Sequence, residues 1–178
     1  MVTDNYPEIR EKLKNIQLLL LDVDGVLTDG SIVYNHDGME TKVFNAKDGL
    51  GIRLLMNAGI AVCIVTGRRS KALQHRCKNL GIEHVFEGVR DKVGIIDSIL
   101  DLTGVSLGET AFVGDDLVDL SLMRIVGLSI AVADAHETVL ENAEMVTSAK
   151  GGAGAVREVC EAILKARDLW EAILERYR

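Results

Sequence analysis

The stretch Gln17-Leu-Leu-Leu-Leu-Asp-Val-Asp-Gly25 contains four consecutive leucines, followed by two aspartates, one residue apart, and a glycine. A short apolar run of this kind is typical of a strand buried on both faces, as central strands of parallel sheets are. Further apolar runs indicate three strong strands, at residues 61–65, 110–113 and 128–131, and two weaker ones, at 83–86 and 144–146. Strands that alternate with longer helical segments predict an α/β fold, a Rossmann-like parallel sheet with helices on both faces.

The segments between these strands carry apolar residues at helical spacing. They cover residues 49–57, 70–80, 92–102 and 117–126, with a first short helix over 6–14 and a last helix from about 154 into the C-terminal tail. A glycine follows each of the four central segments: Gly59, Gly81, Gly104 and Gly127. Because a helix commonly ends on a residue with positive φ, which glycine adopts easily, these glycines predict helix C-termini.

Residues 31–45 interrupt the alternation of strands and helices. Their pattern is typical of a β-hairpin with Asp37-Gly38 in its turn. The hairpin follows the first strand directly, so it would lie over the carboxyl ends of the strands, the edge at which open α/β sheets bind ligands. The chain contains no linker-like or repetitive stretch, and we expect a single domain over residues 1–178.

The charge balance and the apolar runs argue against several classes of protein. Lys and Arg total 20 against 27 Asp and Glu, a formal charge of -7, which disfavours a nucleic-acid partner because such proteins need a basic surface. The longest apolar run, residues 18–21, is far too short to cross a bilayer, and the N-terminus lacks a signal-peptide pattern. The three cysteines show neither disulfide nor zinc spacing. We therefore expect a soluble cytoplasmic protein with no membrane partner.

Two carboxylates, Asp22 and Asp24, follow the first strand directly. Two negative charges this close to the end of a buried strand are costly unless a positive charge lies between them. A divalent metal such as Mg²⁺ is the natural partner, because hard cations prefer oxygen ligands. Gly25 allows the chain to turn sharply directly after Asp24. The alternative is a solvated Asp-Gly turn.

A second acidic cluster follows the strand predicted over residues 110–113. Asp115, Asp116 and Asp119 come directly after Gly114 or within the next turn. Their mutual repulsion again favours a bound cation. The alternative is that they cap and begin a helix, whose N-terminus favours acidic side chains.

Two further strand ends carry residues suited to an anion. Thr66 and Gly67 follow the strand over residues 61–65, and a hydroxyl and a backbone amide beside a helix start can cradle a phosphate. The alternative is a plain turn with a helix cap. Lys92 is predicted to open the helix after the strand over residues 83–86, and by itself it is an ordinary surface charge. Together, the four features at strand ends are more specific than any one of them.

The order Asp-x-Asp, Ser/Thr, Lys and Gly-Asp-Asp-x-x-Asp resembles the haloacid dehalogenase superfamily. The resemblance implies that Asp22 attacks phosphorus and forms an aspartyl-phosphate, and that Asp24 is the general acid and then the general base. It also implies that Mg²⁺ is held by the Asp22 carboxylate, the Asp24 backbone carbonyl and Asp115, with Asp116 or Asp119 in support. In the same way, Thr66, the Gly67 amide and Lys92 would neutralise the phosphoryl oxygens.

Longer matches narrow the resemblance to one family. Segments 21–30, 43–53, 64–68, 113–116, 130–135 and 151–158, along almost the whole chain, are similar to the 3-deoxy-D-manno-octulosonate 8-phosphate (KDO 8-phosphate) phosphatase family. The family implies a capless fold and a homotetramer in which the hairpin of one subunit borders its neighbour's active site. It also implies hydrolysis of a phosphorylated sugar acid, which releases inorganic phosphate and KDO for lipopolysaccharide synthesis.

A capless phosphatase needs substrate contacts outside its catalytic loops. By position, Lys47, Arg68 and Arg157 are candidates to bind the sugar hydroxyls or carboxylate, and alternatively each is a surface or subunit-interface cation. Lys47 stands where many family members carry arginine, so a related substrate such as KDN 9-phosphate stays open. A third alternative is a non-catalytic oligomerisation module. Such a module is expected to lose the nucleophile or the metal aspartates, and all of them are present here.

Overall fold

Eight strands form the framework of the protein, which a computed structural model describes over residues 7–178. In chain order the strands are β1 (Leu18–Leu21), β2 (Val33–Tyr34), β3 (Glu40–Thr41), β4 (Ala61–Thr66), β5 (His84–Glu87), β6 (Thr110–Gly114), β7 (Leu128–Ala131) and β8 (Met145–Val146). Six of them make one parallel sheet in the order β5-β4-β1-β6-β7-β8. The predicted parallel sheet is confirmed, and each of its strands lies within a residue or so of the predicted bounds.

The helices surround this sheet. They are α1 (Pro7–Asn15), α2 (Ala46–Asn57), α3 (Lys71–Leu80), α4 (Ile96–Thr103), α5 (Leu120–Met123), α6 (Glu137–Asn142), α7 (Ala155–Ala166) and α8 (Trp170–Leu174). The first helix was predicted to start at residue 6, which lies outside the described residues. No helix in residues 7–178 combines the length and the apolar composition needed to span a membrane.

The central strand β1 determines where the site forms. Its four leucines are fully buried between β4 and β6. Leu21 pairs in register with Ile64 of β4 and with Val113 of β6. Because the three strands are parallel, the residues that follow them leave the sheet at the same edge.

Successive strands are added first on one side of β1 and then on the other. It passes from β1 to β4 and β5 on one side, and from β6 to β7 and β8 on the other. Because crossovers between parallel strands are right-handed, the helices of the two halves lie on opposite faces. Helix α2 packs against α3 and α7, whereas α5 packs against α6. A crevice therefore opens at the carboxyl ends of β1 and β6, where ligands bind in such sheets.

Three of the helix predictions need correction. The segment predicted as a helix over residues 117–126 is α-helical only in α5, which follows a single 3-10 turn over Leu117–Asp119. Helix α4 begins at Ile96 rather than at residue 92, because the Asp91 side chain accepts hydrogen bonds from the Val93 and Gly94 amides and forms a turn instead. Lys92 therefore stands in a loop. The last helix is not continuous, since α7 ends before Asp168, which has a φ of 57°, and α8 starts after it.

The glycine prediction is right at three positions and wrong at the fourth. Gly59, Gly81 and Gly104 have positive φ at helix ends, as predicted, whereas Gly127 does not. A side chain at Gly127 would overlap the backbone of Gly108, so glycine is required there for a close approach of two chain segments. The short helix α6 was not predicted, because its few apolar positions do not make a helical pattern.

The hairpin predicted over residues 31–45 is confirmed. Strands β2 and β3 are antiparallel, and Gly38 has a φ of 75° in the turn between them. Asn35 fixes the turn, because its side-chain oxygen accepts hydrogen bonds from the amides of Asp37 and Met39. Several large apolar side chains on and beside the hairpin are about half exposed or more: Ile32, Val33, Tyr34, Met39 and Val43.

Candidate active site

An open cleft of about 360 Å³ lies at the carboxyl edge of the sheet. Its lining consists of Asp22, Asp24, Thr66, Gly67, Arg68, Val89, Arg90, Lys92, Asp115, Asp116 and Val118. The loops after β1, β4, β5 and β6 all contribute to it. The four sequence features that stand at strand ends are therefore brought together in one place.

The loop after β1 is a tight series of turns that holds Asp22 and Asp24. The carbonyl of Val23 accepts hydrogen bonds from the amides of three following residues, Val26, Leu27 and Thr28. Gly25 has a φ of 88°, and a side chain there would overlap the Asp115 carboxylate. Glycine at this position thus allows the loops after β1 and β6 to touch.

Gly151 and Gly152 support this loop from behind. A side chain at Gly151 would collide with the Gly25 carbonyl, and one at Gly152 would collide with the backbone of Thr28. The Gly152 amide donates a hydrogen bond to the Val26 carbonyl over 2.9 Å. The glycine pair therefore lets a segment far along the chain pack directly on the backbone beside Asp22 and Asp24.

Asp119 organises the loop after β6. Its side chain is fully buried, and Oδ2 accepts hydrogen bonds from the Asp115 amide at 2.9 Å and the Asp116 amide at 3.3 Å. Its Oδ1 accepts from Lys92 Nζ at 2.5 Å. Gly114 leaves the space that the Asp119 side chain fills. Both oxygens of Asp119 are thus held by donors of the protein itself.

Lys92 lies between two aspartates. Its side chain is 3% exposed, and Nζ is 3.0 Å from Asp22 Oδ1 as well as in contact with Asp119. Burial opposes the charge of Lys92, but Asp22 and Asp119 outweigh that effect and raise its pKa. A lysine that is buried between two carboxylates is not the ordinary surface charge that its sequence context alone would suggest.

Asp22, Asp115 and Asp119 form an aspartate cluster in which one oxygen of each lies within 4.8 Å of the others. Burial raises the pKa of Asp22 to about 6, against the opposing effect of Lys92. Burial and the neighbouring carboxylates of Asp22 and Asp119 raise the pKa of Asp115 to about 7. One lysine is therefore too little positive charge for the three acids.

The aspartate cluster fits a divalent cation. Asp115 Oδ1 is buried and has no hydrogen-bond partner among the described residues, whereas both oxygens of Asp119 are occupied. A buried carboxylate oxygen without a donor is costly unless something positive meets it. Hard oxygen donors and surplus negative charge are what Mg²⁺ requires.

The opposite wall of the cleft presents donors to an anion. Thr66 is buried at the end of β4, and its hydroxyl oxygen accepts a hydrogen bond from the Arg68 amide over 3.3 Å. The Thr66 hydroxyl proton and the Gly67 amide remain for a ligand, beside the Lys92 ammonium. The three residues line the cleft together with Asp22.

Only one of the three predicted substrate contacts lines the cleft. Arg68 does so, at the mouth. Lys47 is exposed in the first turn of α2, outside the cleft lining. The Arg157 guanidinium donates to Glu161 over 2.6 Å and lies 5.5 Å from the ring centre of Trp170, so within the described chain it is engaged elsewhere.

Sequence reasoning placed the hairpin over the carboxyl ends of the strands but did not identify which of its residues reach the cleft. Lys42 contacts Asp24 and lies 2.6 Å from Glu40, and Glu40 in turn lies 3.1 Å from Arg68. Arg68 Nε is 3.7 Å from Asp24 Oδ2, which closes a ring of four alternating charges. We refer to Asp24, Lys42, Glu40 and Arg68 as the hairpin ring. Tyr34 supports it, because its hydroxyl contacts Arg68 over 3.0 Å.

The charges of the hairpin ring stabilise one another. Burial opposes the charge of Lys42, but the hydrogen bonds to Asp24 and Glu40 outweigh it and raise the pKa of Lys42. The hydrogen bond from Lys42 lowers the pKa of Glu40, with a smaller contribution from Arg68. One signal could have indicated this pair: side chains two residues apart on a strand point to the same face, and Glu40 and Lys42 are so spaced.

The family model for haloacid dehalogenase-like hydrolases matches residues 84–159. Among curated proteins, the 3-deoxy-D-manno-octulosonate 8-phosphate phosphatase of Salmonella typhimurium is 46% identical over 161 residues, which cover 90% of this chain and 86% of that protein. The matched model includes the segments that carry Lys92, Asp115 and Asp119.

Two solved structures are also similar to this chain. The 3-deoxy-D-manno-octulosonate 8-phosphate phosphatase of Yersinia pestis superposes with a TM-score of 0.91 at 47% identity, covering 93% of this chain and 89% of its own. The enzyme of the same name from Moraxella catarrhalis, in complex with a magnesium ion, a phosphate ion and KDO, superposes with a TM-score of 0.93 at 42% identity. That match covers 96% of this chain and 98% of the other.

Proposed function

Because this chain belongs to the KDO 8-phosphate phosphatase family of haloacid dehalogenase-like hydrolases, we propose that it hydrolyses KDO 8-phosphate to KDO and inorganic phosphate. One observation carries the proposal. The Asp22 carboxylate lines an open cleft 3.0 Å from the Lys92 ammonium, opposite Thr66 and beside the unpartnered oxygen of Asp115. This arrangement offers a nucleophile, donors for a phosphoryl group and a place for a divalent cation.

The reaction divides into two displacements at phosphorus. In the first, a carboxylate oxygen of Asp22 bonds to phosphorus as the bond to the sugar oxygen breaks, and the Asp24 carboxyl gives its proton to that oxygen. In the second, water attacks the aspartyl-phosphate while Asp24 takes a proton from it, and the bond between Asp22 and phosphorus breaks. KDO leaves after the first displacement and phosphate after the second.

The remaining site residues bind and orient the phosphoryl group. Lys92, the Thr66 hydroxyl and the Gly67 amide neutralise its oxygens, and Asp119 holds Lys92 in place. Bound Mg²⁺, held by the Asp22 and Asp115 carboxylates and the Asp24 carbonyl, would supply charge compensation for the transferred group. Asp116 accepts a hydrogen bond from the Leu117 amide and supports the loop that carries Asp115.

The sugar acid itself needs contacts outside the catalytic loops. Arg68 lines the cleft while it contacts Tyr34 and Glu40, and it is the candidate to bind the carboxylate or hydroxyls of KDO. Lys47 and Arg157 do not line the cleft of their own chain. We propose them as substrate contacts in the cleft of an adjoining subunit.

We further propose that the protein works as a homotetramer of single-domain subunits, in the cytoplasm and in lipopolysaccharide synthesis. The half-exposed apolar side chains of the hairpin support the assembly, because a contiguous apolar patch of this kind marks an interaction site. The three cysteines are buried free thiols, which suits a reducing compartment.

The test is phosphate release from a panel of sugar phosphates that includes KDO 8-phosphate and KDN 9-phosphate, with Mg²⁺ and with excess EDTA. We expect turnover that needs Mg²⁺ and favours KDO 8-phosphate. A preference for another sugar acid would retain the mechanism and change the substrate. Silence across the panel would refute the catalytic proposal and favour a non-catalytic oligomerisation module.

A further inference from the structure

Lys42 is a buried cation that the nucleophile, metal and phosphate groups of the site do not use. Its side chain is 1% exposed, less than that of Lys92 at 3%. Taking an ammonium group out of water is costly, so a lysine is seldom buried this fully without a compensating arrangement. The compensation here comes from Asp24 and Glu40, and Asp24 is the residue proposed as general acid and base.

Because Lys42 contacts only one oxygen of Asp24, the two oxygens have different surroundings. Oδ1 accepts the hydrogen bond from Lys42, whereas Oδ2 is buried, lies 3.7 Å from Arg68 Nε and has no hydrogen-bond partner among the described residues. Asp24 also lines the cleft. A carboxylate with one oxygen fixed has a defined orientation, and its second oxygen remains for proton transfer.

Lys42 is in turn held by the rest of the hairpin ring. Glu40 lies 2.6 Å from Lys42 and 3.1 Å from Arg68, so the ammonium group cannot turn away from Asp24 without losing a second partner. The ring contains two carboxylates and two cations, so its formal charge is zero. The hairpin of the chain therefore approaches the cleft of that same chain with a ready-made, balanced set of charges.

We propose that Lys42 is a positioning residue that acts through Asp24. It fixes one oxygen of Asp24 so that the other faces the oxygen of the leaving group in the first displacement and the attacking water in the second. The inference rests on the proposed phosphatase function and deepens it, because it assigns part of the acid–base machinery to the hairpin rather than to the loops of the sheet.

The first experiment compares substrates that differ in their need for a general acid. The leaving group of an alkyl phosphate such as KDO 8-phosphate is a strongly basic alkoxide, which requires a proton. The leaving group of p-nitrophenyl phosphate is a stable phenolate, which does not. For Lys42→Met we expect kcat on KDO 8-phosphate to fall about 10- to 100-fold while KM changes less than about threefold. The burst of p-nitrophenol, which reports attack by Asp22, should change less than about threefold.

Double variants separate positioning from charge balance. Lys42→Met combined with Asp24→Asn should be no slower than Asp24→Asn alone, because both changes remove the same function. Lys42→Met combined with Glu40→Gln restores a neutral ring but should not restore turnover of the alkyl phosphate. Additive losses, or recovery of activity with Glu40→Gln, would overturn the proposal.

Two controls keep the result interpretable. Lys12→Met removes another lysine that pairs with a carboxylate, Glu144, outside the cleft, and it should leave kcat on both substrates unchanged. Lys42→Arg keeps the charge, and if Lys42→Met does not fold, it carries the comparison: turnover of the alkyl phosphate should fall about three- to tenfold while the burst of p-nitrophenol is retained.

The outcomes for the inference and for the proposed function are distinct. Failure of the wild-type protein to hydrolyse any alkyl phosphate with Mg²⁺ would refute the function. In a wild-type alkyl phosphatase, Lys42 variants that lose the burst of p-nitrophenol as strongly as turnover of KDO 8-phosphate, or that change only KM, would keep the function and refute the role of Lys42.

Discussion

The cleft has two charged regions that solve the problem of buried charge in different ways. In the aspartate cluster, three carboxylates share one lysine, Lys92, and one oxygen of Asp115 has no donor. In the hairpin ring, two carboxylates and two cations alternate, and the sum is zero. The first region therefore carries surplus negative charge that an added cation would balance, whereas the formal charges of the second balance within the chain.

The two regions also differ in how they are built. The aspartate cluster stands on loops directly after β1 and β6, where backbone amides and buried strands fix each side chain. The hairpin ring joins one of those loops to a two-stranded hairpin whose apolar side chains face solvent. Loss of the buried contacts made by Asp119 should thus lower stability more than loss of a contact in the ring.

The largest effect is expected from Asp22→Asn, which removes the nucleophile of the cluster. Phosphate release should fall by at least about 10³-fold, because an amide cannot attack phosphorus. The fold should persist, because the amide fills the same space and leaves less charge to bury. Steady-state kinetics with Mg²⁺ and circular dichroism of the same sample make the measurement. Substantial turnover in this variant would remove Asp22 from the proposed role.

A loss of stability is expected from Asp119→Ala. The change removes a partner of Lys92 and the acceptor of the Asp115 and Asp116 amides, so unfolding in urea should require about 3 kcal/mol less free energy. The matched change in the hairpin ring, Glu40→Ala, should cost only about 1 kcal/mol. Equal losses from the two variants would contradict the contrast between the regions.

Asp115→Asn should stabilise the metal-free protein while it abolishes the response to Mg²⁺. The folded protein raises the pKa of Asp115 from 3.8 to about 7, so it holds a proton there that the unfolded chain releases. Asp115 therefore favours the folded state of the wild type below about pH 4. This contribution to the free energy of unfolding is lost as pH rises towards 7. The Asp115→Asn variant has no carboxyl group at this position, so its free energy of unfolding does not fall with pH in this way.

The measurement is urea unfolding of both proteins in EDTA at pH 5 and pH 8. We expect the variant to be more stable by roughly 1–2 kcal/mol at pH 8 and by less at pH 5. A difference that does not depend on pH would contradict the assigned charge repulsion in the cluster. With Mg²⁺ present, the wild type should gain stability and the variant should not.

The smallest effect on stability, with a change in assembly, is expected from Val33→Ser combined with Met39→Ser on the hairpin. Both side chains are half exposed or more, so the free energy of unfolding of a single subunit should change by less than about 0.5 kcal/mol. Light scattering after size-exclusion chromatography should show a smaller particle than the wild type. Leu102→Ser, at an exposed site on α4, is the control. An unchanged mass would refute the hairpin as the assembly surface.

The sequence was sufficient to predict the framework and the aspartate cluster, because both depend on local patterns. Four consecutive leucines required a buried strand, and carboxylates directly after it had to meet at its carboxyl end. Lys92 was identified, although not its loop, because the turn made by Asp91 competes with the helical pattern around it.

The hairpin ring could not be predicted in the same way. The hairpin itself follows from Asp37-Gly38, but the contacts of Glu40 and Lys42 depend on how far it folds back over the sheet. Gly127 was misread for a related reason, since it serves a contact with Gly108 that no local pattern records. Contacts between distant segments are the part of the site that required the structure.

The packing of Gly151 and Gly152 against the loop after β1 sets the order in which a newly made chain becomes active. Asp22 leaves the ribosome before two of its supports: its strand lacks one neighbour until β6 is made, and its loop lacks support until the glycine pair emerges. Because chains emerge from the N-terminus onward, Asp22 waits for more than a hundred further residues before its surroundings are complete. The surroundings of Asp22 are thus complete only after the segment that carries the glycine pair has been synthesised.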